Sequence, residues 1–236
     1  MRFGCVTVLV LSAACSSSPA HPDGNGIHLR DGDLRGSDGG NDPGSFAITG
    51  VVSLHAPGSG ATAAGVTVAC KRLVDDSLAG STTTDAGGAF SIQILTSDGD
   101  VYLDLTRQDL VETFYNYAST VYRDTGAAID VLTPDAYAQL FTDASVTAAP
   151  GTGVVEVDTL NQALDPGAQA TISISPPSGT VAADGSAQGR SYVLNASTGS
   201  IDAMFADGGG DSYSREIRVF PDKLSEVALH APFGGD

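Results

Sequence analysis

The chain has 236 residues, 42% of them hydrophobic and 17% charged, enough for a buried core in one or two domains and too apolar for wholesale disorder. Eleven Lys and Arg stand against 28 Asp and Glu, a formal net charge of −17, which excludes nucleic acid as a partner and opposes adsorption to an anionic membrane surface. With no Trp and four His, acid–base catalysis has few carriers, and no cofactor and no metal are expected.

Residues 1–15 read MRFGCVTVLVLSAAC. Arg2 supplies a positive start, Val6 to Leu11 is an apolar run broken only by Thr7, and Ser12, Ala13 and Ala14 are small. That is the layout of a secretory signal peptide, and the run is too short for a bilayer, which needs about 20 apolar residues. Small residues ending in Cys15 resemble a bacterial lipoprotein signal. There the Cys becomes the first mature residue and carries lipid. Leu11 sits four residues before Cys15 rather than three, and ordinary secretion with a cut near Ala14 or Ala20 is the other reading. Ser16, where the family uses Asp for inner-membrane retention, points to the outer membrane. Export leaves Cys70 as the remaining thiol, within the apolar alternation Val66, Val68, Cys70, where a buried structural role is expected.

Residues 16–45 are rich in Gly and Asp and poor in large apolar side chains. Such a segment buries too little surface to offset its ordering entropy and is expected to be a disordered tether, spanning on the order of 30 Å as a flexible chain. Asp23, Asn25, Asp31, Asp33, Asp38, Asn41 and Asp42 offer oxygen ligands, but no register supplies an EF-hand set and the segment holds no Glu. His21 and His28 match no metal spacing.

From residue 46 the texture becomes strand-like. Residues 46–54, 65–73, 89–95, 100–106, 113–122 and 128–132 alternate or carry β-branched runs between Gly, Pro, Asp and Ser clusters. Phe90, Ile92 and Ile94 alternate against Ser91 and Gln93; Val101, Leu103 and Leu105 alternate against Tyr102, Asp104 and Thr106. Short strands with turn signals every 8–12 residues predict an antiparallel sandwich. Residues 134–145 break the pattern. Thr133 can cap, Pro134 and Asp135 suit a first helical turn, and Ala136, Tyr137, Leu140 and Phe141 recur at helical spacing. Strand texture resumes at 153–160, 168–175, 189–195, 200–206, 213–220 and 225–231.

Gly50-Val51-Val52, then Gly65-Val66-Thr67-Val68, then Thr84-Asp85-Ala86-Gly87-Gly88-Ala89-Phe90 resemble the carboxypeptidase regulatory-like domain, a transthyretin-like (prealbumin-type) β-sandwich. The turn is readable by itself: Asp85 can accept backbone amides ahead of it, a Gly can take positive φ, and Phe90 plants a large side chain in the core. Gly153-Val154-Val155-Glu156-Val157, with Thr171-Ile172-Ser173-Ile174, resembles the same opening more loosely. The resemblance implies an all-β chain of two tandem transthyretin-like antiparallel sandwiches. The expected divisions are a signal (1–15), a tether (16–45), a first sandwich (46–133), a short linking helix and linker (134–150) and a divergent second sandwich (151–236). It also implies a non-catalytic accessory module. The fold's enzymatic branch, which hydrolyses 5-hydroxyisourate, ends in Tyr-Arg-Gly-Ser, whereas this chain ends His-Ala-Pro-Phe-Gly-Gly-Asp.

Two chemistries remain to be placed. A hydrolase would need His55 or His230 beside a carboxylate and a nucleophile, and no Gly-x-Ser-x-Gly, His-Glu-x-x-His or P-loop pattern occurs. A glycan-binding module would use Tyr115 and Tyr117, placed on one strand face by alternation, with Asn116 and Arg123 beside them; this reading requires an exposed Tyr, against ordinary cross-strand packing. Calcium at inter-strand loops would use Asp75, Asp76, Asp98, Asp100, Asp207 and Asp211. The reading of the whole is a cell-envelope lipoprotein held to the membrane by lipid at Cys15, serving display, adhesion or scaffolding, with an envelope glycan or protein as partner.

Overall fold

A computed structural model describes residues 44–55, 61–117, 126–160, 171–183, 189–206 and 212–230. They fall within one compact unit, 42–236. The strands are β1 (Ser45–Leu54), β2 (Thr67–Arg72), β3 (Leu78–Thr83), β4 (Ala89–Leu95), β5 (Val101–Thr106), β6 (Thr113–Tyr117), β7 (Ala127–Val131), β8 (Gly153–Leu160), β9 (Thr171–Ser175), β10 (Thr180–Ala183), β11 (Arg190–Ala196), β12 (Gly199–Ala206), β13 (Ser212–Val219) and β14 (Leu224–His230). One α-helix, α1 (Pro134–Asp143), separates β7 from β8, and a 3₁₀ turn covers Thr96–Asp98.

The local reasons are plain. In β4, Phe90, Ile92 and Ile94 are buried and the intervening residues exposed, so one face of the strand feeds the core. Helix α1 starts where Thr133 accepts a hydrogen bond from the Ala136 amide at 3.2 Å, with Pro134 in the first turn; the cap satisfies an amide that has no partner inside the helix. Its residues Ala136, Tyr137, Leu140 and Phe141 pack on Leu132, Val154, Tyr192, Leu194 and Leu224.

The strands form three sheets. Two are small, β4-β1-β7 and β13-β12-β9, and one is large, β10-β11-β8-β14-β6-β5-β2-β3. The small sheet β4-β1-β7 shares a core with β2, β5 and β6, built on Ile48, Val52, Val68, Cys70, Ile92, Ile94, Leu103 and Tyr115. The other shares a second core with β8, β11 and β14, built on Val155, Val157, Val193, Ile201, Ile217 and Val227. Register places these cores on opposite faces of the large sheet. In β14, Glu226 aligns with Tyr115 of β6, which faces the first core, while the adjacent Val227 faces the second; side chains alternate along a strand. Full burial of each Val, Leu or Ile contributes about 1.5–3 kcal/mol.

Two expectations are corrected here. Two separate tandem sandwiches are not what the strand order gives, because the large sheet runs through both blocks. The last strand, β14, is inserted between β8 of its own block and β6 of the first. Nor is the pairing wholly antiparallel: β1 pairs with β7, and β14 with both β6 and β8, in parallel. The junction also buries the second face of the first block. Phe220, just before β14, stacks on Phe114 with centroids 3.9 Å apart and lies 6.3 Å from Tyr102, which explains why β5 and β6 are buried on both sides.

Candidate functional site

The site lies where the blocks meet, on the face of the large sheet that carries the first core. Pairing aligns Tyr192 (β11), Glu156 (β8), Glu226 (β14), Tyr115 (β6), Leu103 (β5) and Cys70 (β2) in one transverse row. Two residues further along β8, Asp158 stands opposite Arg190 of β11. Above the row lie Asp130 of β7, an edge strand of its small sheet, and His55, just after β1.

Arg190 is the hub. Its Nε donates to Asp158 Oδ1 at 2.8 Å and its Nη1 to Asp130 Oδ2 at 2.5 Å. The same Nε lies 2.8 Å from Glu156 Oε1, an ion-pair contact without an aligned hydrogen bond. Nη1 also approaches His55 Nδ1 at 3.0 Å, and that nitrogen is 3.5 Å from Asp130 Oδ2. A single ring nitrogen can accept from Arg190 or donate to Asp130, not both at once. The ring of His55 meets Tyr192 edge-on at 6.3 Å. Burial works against the charge on Arg190, but Glu156, Asp158 and Asp130 around it hold the guanidinium charged. Burial also pushes the Asp130 carboxyl up, and its contacts with His55 and Arg190 outweigh that and bring it below the usual value.

The two glutamates are the unusual members. Glu156 is 0% exposed and Glu226 1%. Burial first, and neighbouring carboxylates second, push both well above the ordinary range. Glu226 Oε2 accepts the Asp130 amide at 3.3 Å, capping a backbone donor of edge strand β7, while its Oε1 is buried with no hydrogen-bond partner. One carboxylate oxygen from each of Glu156, Asp158 and Glu226 lies within 4.8 Å of the others. Three carboxylates thus contact one guanidinium, with Glu226 beside two of them, and buried like charges in register are costly unless compensated.

The residues singled out in the sequence fare differently. Tyr115 is 9% exposed and belongs to the first core, so it presents no ring to a glycan. Asn116 is 4% exposed; its Nδ2 donates to the Glu226 carbonyl and its Oδ1 accepts the Arg218 amide, both at 3.2 Å. It therefore holds β6 to β14 and β13 rather than a ligand. The side chain of Tyr117, and Arg123, Cys15, the segment 1–15 and residues 16–43 of the next, lie outside the described residues, as do Asp207 and Asp211. The loop aspartates expected to gather do other work. Asp75 accepts from Ser77, Asp76 pairs with Arg218 and accepts from Tyr102, and Asp98 accepts the Leu95 amide. Cys70 is buried, and burial, with Asp98 nearby, pushes its thiol up to about 12.

Glu156 and Glu226 were missed as site residues. The signal was present: Glu156 follows Val154-Val155 in β8, two residues before Asp158, and Glu226 is the one carboxylate of β14, and a strand buried on both faces must bury its Glu.

No family model matches the chain, and no curated protein does. Among solved structures, the Bacillus anthracis TIE protein is 11% identical over 79% of this chain, with a TM-score of 0.29, and this chain spans 34% of its length. The shaft pilin SpaA from Lactobacillus rhamnosus GG is 9% identical over 82% of this chain and all of that one, with a TM-score of 0.28. GBS52, a minor pilin of Streptococcus agalactiae, is 11% identical over 81% of this chain and 98% of its own, with a TM-score of 0.26. Scores this low leave the strand order above to stand by itself. Among the described residues, no helix is long and apolar enough to cross a membrane.

Proposed function

We propose that this chain is a non-catalytic lipoprotein of the bacterial cell envelope, anchored by lipid at Cys15. A Gly- and Asp-rich tether, 16–45, holds out a β-sandwich body whose first block is a carboxypeptidase regulatory-like module. Its role is display, adhesion or scaffolding of an envelope partner.

The observation that carries the non-catalytic part is where the chain spends its ionisable side chains. His55, Asp130, Arg190 and Asp158 are tied to one another, and Asp130 and Glu226 join β7 to β14. These contacts fasten the first block to the second, as Asn116 does from β6. His55, one of the two histidines that a hydrolase would use, is engaged in this fastening. The anchor rests on the order of Arg2, the Val6–Leu11 run, Ala13-Ala14 and Cys15.

The test is the intact mass of the native protein after detergent extraction of membranes. The expected species begins at Cys15 and is heavier than its polypeptide by a diacylglyceryl thioether and an amide-linked acyl chain. Cys15→Ser is expected to leave the membrane fraction. An unmodified wild-type chain in the soluble fraction, cut at another site, would overturn the anchor and leave a secreted module.

A further inference from the structure

We propose that Glu156, Asp158 and Glu226 form a buried binding site for one calcium ion at the seam between the two blocks.

The cluster differs from an ordinary acidic patch. Two of its three carboxylates are wholly buried, and one atom, Glu226 Oε1, has no hydrogen-bond partner although its twin Oε2 is used on the Asp130 amide. A buried carboxylate oxygen without a donor is costly, and the cost falls when a cation takes it. Arg190 supplies one positive charge and spends its directed N–H groups on Asp158 and Asp130. It meets Glu156 only as a charge, and Glu226 lies beyond its hydrogen bonds. The carboxyl oxygens left without a hydrogen-bond donor therefore belong to Glu156 and Glu226, which adjacent strands β8 and β14 hold side by side in register. A third carboxylate, Asp158, comes within 4.8 Å of both.

The donor set names the metal. Three carboxylates with no thiolate or imidazole among them suit a hard divalent cation. Magnesium holds its waters tightly and demands octahedral geometry, whereas calcium accepts irregular oxygen cages with few waters. Side chains as buried as Glu156 and Glu226 leave little room for water, which favours calcium. The ligands come from β8 and β14, while Asp130 and His55 above them belong to the first block. An ion there would bind the seam on which both cores depend, and it is independent of whether Cys15 is lipidated.

The full chain, stripped with EDTA and dialysed against calcium, is expected to retain about one ion per chain by atomic emission and to melt about 5 °C or more higher at a hundredfold excess over Kd. Magnesium should shift it less. Terbium in place of calcium should show luminescence excited through Tyr192 and Tyr115, the row neighbours of Glu156 and Glu226, and calcium should quench it. Glu226→Gln keeps an acceptor for the Asp130 amide and should weaken calcium binding at least tenfold, while Asp98→Asn, in the 3₁₀ turn Thr96–Asp98, should not. If Glu226→Gln does not fold, loss of terbium luminescence on adding calcium to the wild type decides the matter. The proposal is overturned if the stripped chain takes up no calcium, or if calcium binds equally well to Glu226→Gln. It is also overturned if Glu226→Gln melts higher than wild type with and without calcium, the behaviour of a carboxyl pair held by a proton.

Discussion

Asp104 shows how a single side chain can be paired and still be a burden. Its Oδ2 accepts from Lys71 Nζ at 2.6 Å, yet Oδ1 is buried without a donor. Burial pushes its carboxyl above the ordinary value of 3.8, the Lys71 contact pulls the other way, and Glu112 beside it adds to the rise. The folded chain therefore holds this proton to higher pH than the unfolded chain does. Stability from the group is fully present below its ordinary value and is lost as pH rises through the raised one. Asp104→Asn removes that titration, so the melting temperature of the variant minus that of wild type is expected to climb as pH rises above the ordinary carboxylate range. A difference that stays flat or falls would mean the ion pair with Lys71 outweighs burial. The alternation of β5 made this environment half legible. Leu103 and Leu105 announced one buried face, but nothing near Asp104 in sequence announced Phe220, which arrives from the far end of the chain to close the other.

The β3–β4 connection was readable as an element because all its chemistry is local. Asp85 Oδ1 accepts the amides of Gly87 at 2.8 Å and Ala89 at 2.9 Å, and Gly88 has φ +77° with the Val52 carbonyl 2.4 Å from where a Cβ would stand. Thr84, just before it, takes the Val66 amide at 2.9 Å and donates to the Ala63 carbonyl at 2.7 Å. Asp85→Ala is expected to cost about 1–2 kcal/mol in urea unfolding, the scale of an exposed acceptor losing two amides. Gly88→Ala should cost more, since it adds strain of about 1–3 kcal/mol to a backbone clash. Equal and negligible shifts in urea midpoint would show that the turn does not need its motif. The strands that escaped notice are of the opposite kind. β3 reads Leu-Ala-Gly-Ser-Thr-Thr and β10 Thr-Val-Ala-Ala; both lie at the edges of the large sheet, where small and polar residues suffice. At Gly80 a Cβ would meet Ile92 at 2.7 Å, so the smallness that hid β3 is what lets it sit against β4.

At the scale of the molecule, the sequence carried two blocks and their separate cores, but not their fusion. That fusion depends on pairs such as Asn116 with Glu226, 110 residues apart, which no local pattern encodes. The same non-local pairing left Glu156 and Glu226 as unremarked letters in two distant strands. It has a direct consequence for folding. A chain of residues 44–150 would keep the first core but lose β14, leaving the β6 edge unpaired and Phe114 without Phe220. An unpaired strand edge beside an exposed aromatic is a template for association. Residues 44–150 are therefore expected to aggregate or dimerise, whereas 44–236 stays monomeric and unfolds in one transition. In that longer chain the release of the Cys70 thiol in the first block should coincide with the loss of near-ultraviolet signal from Tyr192 in the second, compared in wild type and Tyr192→Phe. Coincident transitions are the mark of one cooperative unit. If 44–150 instead forms a stable monomer, or if Cys70 is released at a denaturant concentration well below the Tyr192 transition, then β14 is only an adornment on the first block and the seam does not govern folding. The shared sheet argues for the first result, because neither block can complete its pairing along β6 and β8 without the strand that the other end of the chain supplies last.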